Sequence, residues 1–342
     1  MISPTLLIIA LLHLPFIANA TPRTSPPPGA VVVRQNTTIA GEFSTITDAV
    51  NSIPSDGTNR SIFVFPGTYA EQVFINRTGP LILYGYTKNG NRYDDNTVLI
   101  THNASLATGA ASDDLTGTLR IHKDDFTMYN INLQNTFGKA STNGQAIAIA
   151  AYGNRLGFYA SQFLSYQDTL YANQGTQVYG KSYIEGAVDF IFGREGLAYF
   201  EGNTISSIGP GCITANGRET NDTGIYLLNR NKLVLGSTAL TGTSGNVFLG
   251  RPWGDFARVV FKHTEIGAQL NPALWSIWDP GDNRTDNVLF ATSQNRGPGS
   301  EGVTLPSFAT ALNASEAAEY TIATAVGSDW ESWVDTNFVK GV

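Results

Sequence analysis

Tyr159-Ala160-Ser161-Gln162-Phe163, Tyr179-Gly180-Lys181-Ser182-Tyr183 and Phe200-Glu201-Gly202-Asn203-Thr204 are three copies of one shape, beginning 20 and 21 residues apart. A period of that size, with short strands and no helix inside it, is the signature of a solenoid in which each repeat is one coil. The alternative is an ordinary β-sandwich, whose turn signals also recur regularly; the spacing favours the solenoid. The expectation is an all-β chain wound as a single-stranded parallel β-helix.

Working outward, the same texture extends in both directions. Strand-like runs such as SIFVFPG, PLILYGY, FTMYNINLQN and AIAIAAYG alternate with Gly, Asn and Asp turns. One segment differs. Phe43–Ile53 places Ile46, Ala49, Val50 and Ile53 on one face at helical spacing, which predicts a short amphipathic helix capping the N-terminal end of the coil stack. Residues 21–30, TPRTSPPPGA, read as a Pro-rich linker, and the folded domain is expected over 31–342.

Composition narrows the class. Charged residues make up 14% and hydrophobic residues 42%, enough for a large core, and the net charge is −7. No Lys/Arg cluster tracks a phosphate backbone, which argues against nucleic acid as a partner. Residues 1–20 carry the short apolar run Leu6–Leu12 and end in Ala18-Asn19-Ala20, the pattern of a cleaved signal peptide. Nothing after them reaches the roughly 20 apolar residues of a membrane span. Asn36, Asn59, Asn76, Asn103, Asn221, Asn283 and Asn313 each begin an N-x-S/T triplet, consistent with a secreted, extracellular glycoprotein. The lone cysteine, Cys212, leaves no intramolecular disulfide and no multi-cysteine metal site.

Against this apolar background four polar residues recur at the coil interval. Gln145 and Gln167 lie 22 apart, Asp168 and Asp189 lie 21 apart. Equivalent positions on adjacent coils stack about 4.8 Å apart, so two glutamines and two aspartates converge if the chain bends at one of them. Asp189 sits inside Gly186-Ala187-Val188-Asp189-Phe190-Ile191-Phe192-Gly193, where a carboxylate must be paired or shift its pKa. Two carboxyls so close titrate as a coupled pair, giving an acid and a nucleophile from one residue type. Arg251 is the best candidate for the cation that decides which is which. A retaining glycosidase also uses two close carboxylates; the glutamines favour acyl transfer, because side-chain amides stabilise an oxyanion. Phe137, Tyr166, Tyr171, Phe192, Trp253, Trp275 and Trp278 are candidates for lining a sugar cleft.

These residues fall in familiar motifs. Gly67-Thr68-Tyr69-Ala70-Glu71, Gln145-Ala146-Ile147-Ala148, Gln167-Asp168-Thr169-Leu170-Tyr171, Asp189-Phe190-Ile191-Phe192-Gly193 and Leu249-Gly250-Arg251-Pro252-Trp253, with Ile213–Arg218 between, occur in order across about residues 40–340. The chain thereby resembles the pectin methylesterases, the family 8 carbohydrate esterases. The resemblance implies a right-handed parallel β-helix and hydrolysis of methyl-esterified homogalacturonan (pectin). It implies Asp189 as nucleophile, Asp168 as acid and then base, Gln145 and Gln167 at the oxyanion, and Arg251 holding the nucleophile ionised. Trp253, and with it Phe137, Tyr171, Phe192 and Trp278, are the expected substrate contacts. No metal or organic cofactor is implied, and a monomer is expected. The chain departs from many plant members in lacking a cysteine pair and an inhibitor-like pro-domain, and Phe137 stands where alanine is common, which implies a different subsite preference there. The rival readings are a β-helix lyase or polygalacturonase, or a non-catalytic pectin-binding β-helix. A serine esterase is disfavoured because no G-x-S-x-G occurs.

Overall fold

The repeat is a corner. At Asn130, Ala160, Lys181, Gly202, Arg230, His263 and Gln294 the backbone turns through the left-handed region, with φ between 47° and 66°. Only Gly202 takes that conformation without steric cost. The others are held by the next coil: Ala160 N–H donates to Gly180 O at 3.0 Å and Lys181 N–H to Glu201 O at 3.0 Å. Beside most of these bends a small polar side chain closes the step between coils. Ser161 N–H donates to Ser182 Oγ at 3.1 Å, Ser182 N–H to Asn203 Oδ1 at 2.8 Å, and Asn203 N–H to Asn231 Oδ1 at 2.9 Å.

The structure, a computed structural model, describes residues 21–340. The expected leader, residues 1–20, lies outside the described residues, as do 341 and 342. Three faces succeed one another in each coil. One is a sheet of 8 strands, running from Gly67–Ala70 through Gln162–Leu164 and Tyr183–Gly186 to Glu265–Ile266. The other two belong to one 18-stranded sheet. They are joined because Leu170–Gly180 pairs with Ile191–Gly193 at its start and with Glu195–Glu201 further on. Every pairing of these strands is parallel, for example Gln162↔Tyr183↔Thr204. Built mostly of parallel strands with few helices, the molecule is a right-handed parallel β-helix.

The register corrects one detail of the repeat. Tyr179 pairs with Phe158, not Tyr159, and with Phe200, so both steps are 21 residues. Two adjacent aromatics, facing opposite sides of one strand, made the offset look like 20. Phe158, Tyr179 and Phe200 point inward and stack, with centroids 4.9 and 4.7 Å apart. Tyr159 points outward and is buried only because the C-terminal segment covers it, with Ile322, Ala325, Val326 and Phe338 packed on that face.

The N-terminal helix spans Ile46–Ser52, shorter than the sequence pattern because Phe43 belongs to a two-residue strand. Thr45 caps it, and Glu71 accepts hydrogen bonds from Ile46 N–H and Thr47 N–H, both at 2.8 Å. The glutamate of the Gly67–Glu71 motif therefore ties the cap to the coil stack. Within residues 21–30, read as a linker, Arg23 is docked on the coils. Arg23 N–H donates to Thr87 O at 2.9 Å, Thr87 N–H returns to Arg23 O at 3.0 Å, and the guanidinium lies 4.4 Å from the Tyr129 ring centre and bonds Asn130.

Candidate active site

A second left-handed corner sits on another edge of the coils. Asp168 (φ 61°) and Asp189 (φ 50°) are register equivalents on adjacent coils, flanked by the pairings Gln167↔Val188 and Leu170↔Ile191. The bend turns each aspartate side chain out of the strand alternation. Gln167 and Asp168, neighbours in sequence, thus face one cleft of about 230 Å³ together with Gln145, Asp189 and Arg251. Phe192, Trp253 and Trp278 form its apolar wall.

Arg251 comes from the strand Val247–Pro252, two coils beyond Asp189. Its guanidinium forks onto the Asp189 carboxylate, Nε to Oδ1 at 2.9 Å and Nη2 to Oδ2 at 2.7 Å. Its third nitrogen, Nη1, donates to Trp278 O at 2.9 Å, and the group lies 4.2 Å from the Trp278 ring centre. Such a bidentate contact fixes orientation as well as charge.

The two buried carboxyls are thereby made unequal. Burial pushes Asp189 up, and the hydrogen-bonded charge of Arg251 pulls it only part of the way back. Asp168 is pushed well above the carboxylate range, by burial first and then by the like charges of Asp189 and Asp113; its bond to Gln167 and the more distant Arg251 oppose this only partly. Between the two values Asp168 carries the proton and Asp189 the charge. The Gln145 Oε1 atom is buried without a hydrogen-bond partner, a polar group that a substrate donor or water would satisfy.

The aromatic candidates divide. Phe192, Trp253 and Trp278 reach the cleft. Trp253 is seated on Gly217, where a Cβ would fall 2.4 Å from its ring, and beneath Arg194 at 3.9 Å. Tyr171 lies against Phe192, rings 4.3 Å apart and 3° from parallel, so it backs the wall. Phe137 and Tyr166 are not among the lining residues. Trp275 is core, stacked on Phe290 at 4.4 Å. Ala215, from the Ile213–Arg218 motif, also lines the cleft, and Asp113 lines it without having been singled out. Asp113 lies in a Ser/Asp/Gly-rich stretch with no periodicity, where an acid reads as solvated surface.

A family model described as Pectinesterase matches residues 30–329. The chain belongs to the pectinesterase family. It is 42% identical to a pectinesterase of Aspergillus aculeatus over 94% of its own length and 96% of the relative's. It is 40% identical to one of Aspergillus niger, over 94% and 96%. Among solved structures it superposes on a pectin methylesterase of Aspergillus niger with a TM-score of 0.84 at 36% identity, covering 93% of this chain and 100% of that one. A carrot pectin methylesterase gives a TM-score of 0.79 at 25% identity, over 90% and 97%. The chain is accordingly a carboxylic ester hydrolase, and membership of the pectinesterase family makes pectin its substrate.

Proposed function

We propose that the chain hydrolyses the methyl esters of homogalacturonan through a covalent acyl-enzyme on Asp189. The observation that carries the reading is the Arg251 fork on Asp189, with Asp168 in the same cleft. An Asp189 oxygen attacks the C6 carbonyl, and the negative charge moves to the carbonyl oxygen, where the amides of Gln145 and Gln167 donate to it. The intermediate collapses and methanol leaves with the proton of Asp168. Asp168, now a carboxylate, takes a proton from water, which attacks the acyl carbon. The anhydride-like bond breaks, the product carboxyl leaves and gives up the remaining water proton to solvent as galacturonate, and the Asp189 carboxylate and protonated Asp168 are restored. Trp253, Phe192 and Trp278 hold the sugar.

This reading assigns no step to a metal. It extends to a secreted glycoprotein that works as a monomer: the asparagine of each of the seven triplets is exposed, and the C-terminal segment covers the one outward apolar face described above. The test is methanol release from highly methylated pectin with EDTA present, beside Asp189→Asn. Methanol from the wild type alone, with no new reducing ends and no unsaturated product, is the expected result. Reducing ends or unsaturated product would transfer the site to a polygalacturonase or a lyase.

A further inference from the structure

The cleft holds a third carboxyl to which the mechanism gives no role. Asp113 lines the same space as Asp168 and Asp189. It precedes the short 3-10 turn Asp114–Thr116 but makes no capping hydrogen bond with its side chain. Its neighbour Asp114 is engaged, accepting from Arg120 Nε at 3.0 Å and lying 2.9 Å from His122 Nε2. Burial pushes the Asp113 pKa up, and the charge that opposes this shift is Arg194, which is itself bonded to Glu219 and laid against Trp253.

The charge balance inside the cleft then matters. Asp189 is neutralised by Arg251 across two hydrogen bonds. Asp168 keeps its proton at the start of each cycle. Once ionised, against the pull of burial, Asp113 is the charge left over. The reaction replaces a neutral methyl ester by a carboxylate within this same space of about 230 Å³, little more than one sugar unit in size. Like charges that close, in a partly desolvated site, repel strongly enough to decide binding.

We propose that Asp113 is a specificity-determining residue: its carboxylate disfavours a free uronate in the cleft, so that the neutral ester is taken and the anionic product shed. The proposal rests on the hydrolysis proposed above. It predicts that unesterified oligogalacturonate is a weak competitive inhibitor of the wild type, and that removing the charge at 113 makes it a strong one.

The experiment compares Ki for unesterified oligogalacturonate with KM for highly methylated pectin, in wild type, Asp113→Asn and Asp113→Glu, following methanol. The ratio Ki/KM is expected to fall roughly fivefold to tenfold in Asp113→Asn and to stay near the wild-type value in Asp113→Glu. A structural role would move both constants together, and that result overturns the proposal. So does an unchanged ratio with a displaced pH profile of kcat, which would mean that Asp113 acts only through Asp168. If Asp113→Asn loses its circular dichroism spectrum, Asp113→Ser carries the same comparison. Absence of methanol from the wild type would instead remove the hydrolysis reading on which the proposal stands.

Discussion

At the residue scale, the site depends on making two aspartates unequal. Arg251→Lys keeps a positive charge but loses the planar fork. With less opposing charge at hydrogen-bond distance, the Asp189 pKa rises. The acidic limb of the kcat/KM profile should therefore move to higher pH, with kcat down roughly a hundredfold or more; rates across pH check this. Gln167→Ala should lower kcat while leaving KM near wild type, the pattern of a contact made in the transition state. Asp168 also has a stability consequence. Its pKa is raised by folding, so the folded state binds a proton that the unfolded chain has released. Its contribution is fully favourable below the unfolded pKa and becomes a penalty as pH rises through the folded value. Asp168→Asn should abolish turnover and stabilise the fold at neutral pH by about 0.5–2 kcal/mol, as relief of active-site strain commonly does. The gain should vanish toward the ordinary carboxylate range, which thermal melts at several pH values would follow.

At the scale of single elements, the bends set the geometry. Gly193 adopts φ 146° at the end of Ile191–Gly193, the short strand that follows the Asp189 bend, and a Cβ there would fall 2.2 Å from Ala172 O on the preceding coil. Gly193→Ala should destabilise by about 2 kcal/mol or more, since backbone must shift, with Asp189 displaced and kcat reduced beyond what the stability loss explains. Chemical denaturation and kinetics on one sample separate the two effects. The elements also show what the sequence could tell. The period, the capping helix, the aspartate pair and Arg251 were legible because coil spacing turns sequence distance into spatial distance. Tyr159 was misplaced because aromatic type does not report which way a side chain faces. The docking of Arg23 was hidden by prolines, which read alike in a free linker and in a segment laid on a surface. Asp113 carried no signal, since its partners come from other coils.

On the scale of the whole molecule, the coil stack is covered at one end by Ile46–Ser52 and along one face by the C-terminal segment. Truncation before Thr321 would uncover Tyr159, Val178, Tyr199 and Leu227, at about 1.5–3 kcal/mol for each large apolar side chain exposed. Such a chain should melt lower and bind a hydrophobic dye, with the cleft residues themselves untouched. The aspartate corner has a further consequence. Asp168 and Asp189 are separated by one rung of a hydrogen-bonded ladder, and their spacing is therefore set by the length of a backbone hydrogen bond rather than by the packing around them. The scaffold works as a ruler with a fixed graduation. Rungs can be added or lost elsewhere along it and change the length of polymer it can hold, while the interval between the two carboxyls keeps its value.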